Sequence, residues 1–199
     1  MSKRCNAREH LHLKTTHQAR MTGISSLPSR PFVVGFTGHR RLESEKKISQ
    51  VLPEVIGAIQ REVGREMIGR SSIASGGDTL FAEAWLASNR KWIALLPFPE
   101  AEFKKDFSEA DWNRARAVLD RAERVEISSE IAERPRGYLE CGLATVDGAD
   151  LMVAVWDGRA PRGLGGTAEI VEHARGVQKP LILISPDGLE IRRERLPSS

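Results

Sequence analysis

Two short, predominantly apolar segments, DLMVAVW at 150–156 and PLILIS at 180–185, constrain the fold of this chain most strongly. Apolar runs without polar alternation are typical of strands that are buried on both faces, as in parallel sheets. Shorter apolar runs occur earlier in the chain, at 31–37, 71–75, 92–96 and 124–127. Helical patterns separate the runs, over about 43–63, 78–89, 100–122, 136–148 and 167–176.

This alternation predicts an α/β fold, namely a single Rossmann-like, doubly wound domain over residues 31–185. The expected sheet is mostly parallel and six-stranded, with helices on both faces. Residues 186–199 are interpreted as a short polar C-terminal tail. Residues 1–30 show neither a helical nor a strand period, which predicts a disordered basic leader, or an upstream start with Met21 as the natural first residue.

The charge of the chain is divided unevenly between these segments. The net charge is +3, of which the first thirty residues contribute +5 and residues 31–199 contribute −2. A nucleic-acid-binding domain needs a basic face on its folded part, so composition argues against nucleic acid as a partner. The two cysteines form no disulfide or metal pattern, and no apolar run is long enough to span a bilayer. These features predict a cytoplasmic protein with no membrane partner, no metal site and no cofactor.

The segment VVGFTGHRRL at 33–42 leads from the first predicted strand into a polar turn. Gly38 lets the backbone approach a ligand closely, and Arg40 suits a bidentate contact with phosphate. His39 is a candidate phosphate donor or proton-transfer group. The alternative is an ordinary strand–helix turn with solvated arginines. The segment is neither a dinucleotide fingerprint nor a Walker A loop.

The segment SGGDT at 75–79 is a second glycine turn between a strand and a helix. Gly76 and Gly77 permit close backbone approach to a ligand, or simply a tight turn. Asp78 stands where a helix N-cap is expected, and it is interpreted as a cap rather than a catalyst.

The segment WDGRAPRGLGGTAEIVEHA at 156–174 combines a strand end, a glycine-rich loop and a helix start. Asp157 ends the most apolar strand, and Glu169 falls in the first turn of the helix, where the helix dipole favours a carboxylate. Glu169 is also placed to hold ribose hydroxyls, or to stabilise an oxocarbenium ion in N-glycosidic cleavage. The turn that opens the helix consists of Gly165, Gly166 and Thr167.

The segment RPRGYLECG at 134–142 opens a helix before the fifth strand. Arg136 and Tyr138 are expected at the same carboxyl edge of the sheet. Tyr138, the only tyrosine, is a candidate for stacking on a base, with core packing as the alternative. The acidic cluster over 106–112 is interpreted as a solvated helix face.

Together the segments VVGFTGHR, IASGGDTLFAEAWL, DLMVAVWDGRAPRGLGGTAEIVEHAR and KPLILI resemble the SLOG superfamily, over roughly residues 31–185. That group is named for the Smf/DprA DNA-processing proteins and the lonely-guy (LOG) phosphoribohydrolases. The resemblance implies a Rossmann-like domain that binds nucleotides or nucleotide-derived molecules at its glycine loops. Some members look like ligand sensors of bacterial conflict systems, which implies a separate effector protein, and such folds are compatible with a homodimer.

The GGTAE turn is similar to the P-G-G-x-G-T-x-E-E turn of the hydrolases and to the G-T-x-x-E-x-G-x-A region of nucleoside deoxyribosyltransferases. Gly166 and Thr167 match the G-T pair, and Glu169 matches the first glutamate of the former and the nucleophile of the latter. Three features depart from the hydrolase pattern. Ile170 replaces the second glutamate, Leu164 stands where the proline is expected, and only Arg136 stands in for an Arg-Lys pair.

The sequence therefore predicts a domain that binds or senses a nucleotide-derived ligand. Its expected phosphate and ribose cradle consists of Gly35, Thr37, Gly38, Arg40, Gly165, Gly166 and Thr167. The alternative is an N-glycosidic hydrolase that acts on nucleoside 5′-monophosphates. In it Glu169 acts as nucleophile or oxocarbenium stabiliser, Asp157 is the second carboxylate, and Arg40 or Arg136 holds the phosphate. A DNA-binding module is a third hypothesis, which the negative balance of residues 31–199 disfavours.

Overall fold

A computed structural model describes residues 30–129, 133–161 and 163–195 of the 199-residue chain. All of these except Arg30 belong to a compact unit that begins at Pro31. The predicted leader lies outside the described residues, apart from Arg30. None of the helices within the described ranges has both the length and the apolar character needed to cross a membrane.

The described residues form one seven-stranded sheet. The strands are β1 Phe32–Gly38, β2 Met67–Ser71, β3 Trp92–Leu96, β4 Arg124–Ile127, β5 Leu151–Val155, β6 Leu181–Ile184 and β7 Ile191–Glu194. Their order is β4-β3-β2-β1-β5-β6-β7, and every neighbouring pair is parallel except β6 and β7. The chain thus builds outward from β1 to β4 and returns to place β5 beside β1, which is the strand-order switch of doubly wound folds.

The helices of the described residues connect these strands. They are α1 Glu45–Val63, α2 Gly77–Ala87, α3 Glu100–Phe103, α4 Glu109–Leu119, α5 Arg134–Asp147 and α6 Thr167–Gly176, with a 3-10 turn at Lys104–Asp106. Two buried clusters cover the two faces of the sheet. In β5, Val153 and Val155 pack with α1, α2 and α4, while Met152 and Ala154 pack with α6. The α/β, mostly parallel Rossmann-like architecture predicted from the sequence is therefore the observed one.

The sheet has seven strands where the sequence predicted six. The additional strand, β7, lies inside the segment 186–199 that was interpreted as a polar tail. Its sequence IRRE is largely exposed and charged, as suits an edge strand that must not pair with other chains. A strand with no buried face has no apolar alternation, so periodicity could not detect it.

Strand β2 is displaced from its predicted position at 71–75 to Met67–Ser71. Gly69 and Arg70 interrupt the apolar pattern of the true strand. Gly69 is nevertheless required, because a Cβ there would stand 2.8 Å from the ring of Trp85 on α2. The predicted helix over 100–122 is also broken. Ser108 interrupts it and accepts a hydrogen bond from the Asp111 amide as the N-cap of α4.

Candidate functional site

A cavity of about 400 Å³ lies at the carboxyl edge of the sheet, at the switch between β1 and β5. The register pairs Gly38 with Val155, so the loops that follow the two strands leave the sheet side by side. The His39 amide donates to the Val155 carbonyl at 3.2 Å and joins the loops. The cavity is lined by Phe36, Thr37, Gly38, His39, Arg40, Ser72, Ala74, Asp78, Tyr138, Cys141, Gly142, Thr145, Asp157, Arg159, Ala160, Pro161, Gly163, Leu164, Gly165, Gly166, Thr167, Ala168 and Ile170.

The loop after β1 supplies a paired histidine and an exposed arginine. The Nε2 atom of His39 lies 3.2 Å from Asp157 Oδ1 and 3.1 Å from the Asp157 amide nitrogen. One hydrogen cannot serve both contacts. The Nδ1-protonated tautomer accepts from the amide, whereas a ring protonated at Nε2 donates to the carboxylate. The Arg40 guanidinium stacks 4.5 Å above the Tyr138 ring, which holds this exposed cation at the rim of the cavity.

The two glycines of the loop after β2 allow the backbone of this loop to contact the backbone of the loop after β1. Gly76 has φ +89°, and a Cβ there would overlap the Arg40 carbonyl. A Cβ on Gly77 would lie 2.9 Å from the Gly38 Cα, and the Gly77 amide donates to the His39 carbonyl at 3.0 Å. These glycines, predicted to approach a ligand, instead pack against the neighbouring loop and do not line the cavity.

Asp78, in the first turn of α2, is the buried carboxyl group of the cavity. The residue is 9 % exposed, and its Oδ1 atom has no hydrogen-bond partner in the described part of the chain. Burial raises the pKa of the Asp78 carboxyl to about 7, although the Arg40 guanidinium and a hydrogen bond from the Gly38 amide lower it. From the sequence, Asp78 was interpreted as a helix cap and was not placed in the cavity wall.

Helix α5 contributes one wall of the cavity through side chains at helical spacing. Tyr138, Cys141, Gly142 and Thr145 fall at i, i+3, i+4 and i+7, so they share one face. The Cys141 thiol is buried and donates to the Leu95 carbonyl at 3.3 Å, and burial raises its pKa to about 12. It is therefore a packing thiol rather than a nucleophile at neutral pH. This helical spacing was the sequence signal that could have identified the wall.

Tyr138 itself is held by neighbours. Its hydroxyl donates to Asp106 Oδ2 at 2.6 Å, and its ring packs edge-on against Phe98 at a centroid distance of 5.7 Å. Arg134 Nη1 binds the same Asp106 carboxylate at 2.8 Å. Asp106 thus anchors Tyr138 and α5. From the sequence it was instead interpreted as part of a solvated helix face. Arg136, in contrast, is exposed, pairs with Glu140 at 3.0 Å and lies outside the cavity lining.

The loop between β5 and α6 forms the opposite wall. Gly165 has φ +78°, and its amide donates to Glu169 Oε2 at 2.6 Å. The Glu169 carboxylate thus holds its own glycine loop, and Glu169 is not among the lining residues. Gly166 is the N-cap of α6 and brings no side chain, so the first amides of the helix receive no side-chain cap.

The structure therefore gathers most of the predicted site residues at one cavity. Those that line it are Thr37, Gly38, His39, Arg40, Tyr138, Asp157, Gly165, Gly166 and Thr167. Gly35, Gly76, Gly77, Arg136 and Glu169 do not line it. Gly35 lies within β1, where a Cβ would overlap the Met152 sulfur, so that glycine serves packing. Ser72, Asp78, Cys141, Thr145 and Arg159 are lining residues that sequence reasoning did not assign to the site.

Comparison with known proteins adds to this geometry at the level of the fold. No family model matches the chain. It is 41% identical over 71 residues to the 2-succinyl-5-enolpyruvyl-6-hydroxy-3-cyclohexene-1-carboxylate synthases of Mycobacterium avium (strain 104) and Mycolicibacterium paratuberculosis (strain ATCC BAA-968 / K-10). These residues are 36% of this chain and only 12% of each synthase. The match is therefore too short to assign the activity of those enzymes to this chain.

Two solved structures of DNA processing protein A share the fold. The protein from Streptococcus pneumoniae matches over 77% of this chain and 50% of its own, with a TM-score of 0.56 and 16% identity. The protein from Helicobacter pylori matches over 77% of this chain and 65% of its own, with a TM-score of 0.54 and 19% identity. At these identities the likeness establishes the fold alone, and the chain has the Rossmann-like fold predicted from its sequence.

One prediction from composition is wrong. The negative balance of residues 31–199 argued against nucleic acid as a partner, yet the Helicobacter pylori structure with the same fold describes a single-stranded DNA binding mode. A net charge summed over a whole domain does not describe one cavity. Here two arginines, Arg40 and Arg159, line the cavity although the domain as a whole is slightly acidic.

Proposed function

We propose that this SLOG-type domain binds a nucleotide in the cavity between the β1, β2 and β5 loops. The observation that supports the proposal is the convergence of cations and a helix start on one cavity. Arg40 and Arg159 line it beside Gly166 and Thr167, where the first amides of α6 lack a side-chain cap. Uncapped helix amides and arginines are the groups that proteins use to bind phosphate.

The size and lining of the cavity fit a ligand larger than phosphate alone. Its volume of about 400 Å³ lies within the range of small-molecule sites. Apolar side chains, including Phe36 and Ile170, line it together with the polar groups. The phosphate end of the ligand is assigned to the α6 start, because Gly166 and Thr167 of that start line the cavity, whereas Gly76 and Gly77 of the α2 start pack against the β1 loop and do not line it.

Replacing Arg40 with glutamine is expected to weaken the binding of nucleoside mono- and diphosphates by about 10–100-fold, the usual effect of losing a charge-assisted hydrogen bond. Isothermal titration at low salt measures the change. The matched control is Arg41→Gln, since Arg41 is also exposed, carries the same charge and does not line the cavity. Equal losses in the two variants would mean that only general electrostatic attraction is involved, and would contradict the proposed site.

Single-stranded DNA is the second candidate ligand, supported by the Helicobacter pylori structure of the same fold. An oligodeoxythymidylate of about ten nucleotides, within the usual site size of such proteins, tests it. If the cavity holds one nucleotide of a strand, a mononucleotide competes with the oligonucleotide, and Arg40→Gln weakens both. Oligonucleotide binding that is indifferent to Arg40→Gln and to mononucleotides would assign DNA to another surface.

Glu169→Ala is expected to lower the free energy of unfolding by about 1–3 kcal/mol, whereas Glu169→Gln is expected to remain close to wild type. The reason is that glutamine still accepts the Gly165 amide hydrogen and alanine does not. Thermal unfolding measures the difference, with Glu172→Ala, an exposed glutamate of the same helix, as the control. Chromatography for free base after incubation with nucleoside monophosphates tests the hydrolase alternative. Base release by the wild type that is abolished in Glu169→Gln would replace the loop-holding role with a catalytic one.

A further inference from the structure

Asp78 is a cavity residue that the phosphate contacts proposed above do not use. Its carboxyl group is nine-tenths buried, and its Oδ1 atom finds no hydrogen-bond partner in residues 30–129, 133–161 and 163–195. An unpartnered buried oxygen lowers the stability of a protein unless a ligand or water satisfies it. Asp78 is a lining residue of the cavity, so a ligand bound there lies next to this carboxyl group.

The position of Asp78 across the sheet sets which part of a ligand reaches it. Asp78 follows β2, and the phosphate end at Thr167 follows β5, with β1 lying between these strands. The Gly38 amide at the end of β1 donates a hydrogen bond to the Asp78 carboxyl group, so Asp78 lies beside β1, which is the direct neighbour of β5. An ionised carboxyl group repels phosphate, so a nucleotide with its phosphate at the α6 start presents its sugar or its base to Asp78.

We infer that Asp78 is a specificity-determining residue of the cavity, whose free carboxylate oxygen accepts a hydrogen bond from a hydroxyl or N–H group of the bound nucleotide. This inference rests on the proposed function, since it names the group that the nucleotide presents to Asp78 in the same cavity. A carboxylate accepts hydrogen bonds and repels phosphate, so it selects for a donor at this place. The donor comes either from the ribose hydroxyls or from the edge of the base.

The surroundings of Asp78 support ionisation when a donor is present. The Arg40 guanidinium, from the β1 loop, and the Gly38 amide favour the carboxylate, while burial raises its pKa to about 7. The Cys141 thiol, from α5, interacts with Asp78 and is itself neutral at this pH. His39 and Asp157 line the same cavity. A ligand donor binds the ionised form, so affinity is expected to rise as the pH increases from 6 to 8, by about tenfold for one group of this pKa.

The test compares the full-length wild type with Asp78→Asn, which keeps the shape of the side chain but cannot ionise. Isothermal titration at pH 6 and pH 8 uses the four ribonucleoside 5′-monophosphates, their 2′-deoxy forms, ribose 5-phosphate, 2-deoxyribose 5-phosphate and pyrophosphate. Asp120→Asn is the control, since Asp120 is exposed at the end of α4 and pairs with Arg116. Asp78→Ser, which retains a residue favoured at helix starts, is a second variant in case the asparagine lowers the melting temperature.

The expected result is that Asp78→Asn weakens nucleotide binding at pH 8 by at least about tenfold, abolishes the rise with pH and leaves pyrophosphate binding unchanged. A preference for ribose 5-phosphate over its deoxy form then assigns the donor to the sugar, and a preference only among the bases assigns it to the base. Nucleotide affinities that are equal in wild type and Asp78→Asn, or that fall as the pH rises, would overturn this inference alone. Absence of binding by the wild type to every one of these compounds would overturn the proposed function and, with it, this inference.

Discussion

Gly76→Ala is expected to lower the melting temperature by about 6–12 °C and to abolish measurable nucleotide binding in the cavity. Gly76 has φ +89° and ψ −125°, a conformation that is open essentially to glycine alone. A Cβ there would also overlap the Arg40 carbonyl of the neighbouring loop. Backbone atoms cannot move aside as side chains do, so the two loops must separate. The combined cost is about 3 kcal/mol in the free energy of unfolding.

Loss of binding follows because the displaced atoms belong to the cavity wall. The Gly77 amide donates to the His39 carbonyl at 3.0 Å, and Arg40 is the next residue along that loop. Pushing the loops apart therefore shifts the Arg40 guanidinium and the Gly38 amide that faces Asp78. Differential scanning calorimetry and isothermal titration with nucleoside monophosphates measure the two effects on the same protein.

The matched control is Gly64→Ala at the end of α1. Gly64 also has a positive φ, +63°, but no atom lies within 4 Å of the position that a Cβ would take. Gly64→Ala is expected to lower the free energy of unfolding by about 1–2 kcal/mol, which is the strain of a left-handed backbone alone. Nucleotide affinity is expected to stay unchanged. If Gly76→Ala bound nucleotides as tightly as Gly64→Ala, the loop contact would not support the site.

Apart from β7 and the position of β2, the sequence was sufficient for the strands of the sheet and for three of the cavity loops, since apolar runs and glycine turns mark where strands end. It was insufficient for Asp78, because a carboxylate in the first turn of a helix is explained locally by capping. Only the packed structure shows that Oδ1 is buried and unpartnered. The role of Glu169 was uncertain for the same reason. Its contact with the Gly165 amide is a local interaction that sequence spacing alone cannot distinguish from a ligand contact.

Strand β2 shows a different limit of prediction from sequence, because its residues are explained by packing against distant parts of the chain. A glycine and an arginine inside a strand of five residues conceal its apolar character, and the apolar segment that follows it was taken for the strand. The glycine is explained by Trp85, which is separated from it by sixteen positions and is fully buried. The arginine is explained by Glu126 on β4, whose carboxylate lies 2.8 Å from Arg70 Nη1. Neither partner is visible to a local pattern.

Trp85→Ala is expected to lower the free energy of unfolding by about 3–5 kcal/mol, or the melting temperature by about 6–20 °C. Trp85 is fully buried, contacts Phe81 at a centroid distance of 5.3 Å and covers Gly69 of β2. Its Nε1 also donates to the Lys91 carbonyl at 2.8 Å. That carbonyl keeps the Gly69 amide as a donor at 3.1 Å, so the loss comes mainly from the cavity and not from an orphaned acceptor.

The dependence of Gly69 on Trp85 is testable by a double-mutant cycle. In the wild type, Gly69→Ala places a Cβ 2.8 Å from the indole ring and is expected to destabilise by about 1–3 kcal/mol. In the Trp85→Ala background the same methyl group enters the space that the indole leaves, so it is expected to be neutral or stabilising. Chemical denaturation of the four proteins gives the interaction free energy, expected at about 1–3 kcal/mol. Additive effects would show that the glycine in β2 has a cause other than the ring, and the displaced strand would need another explanation.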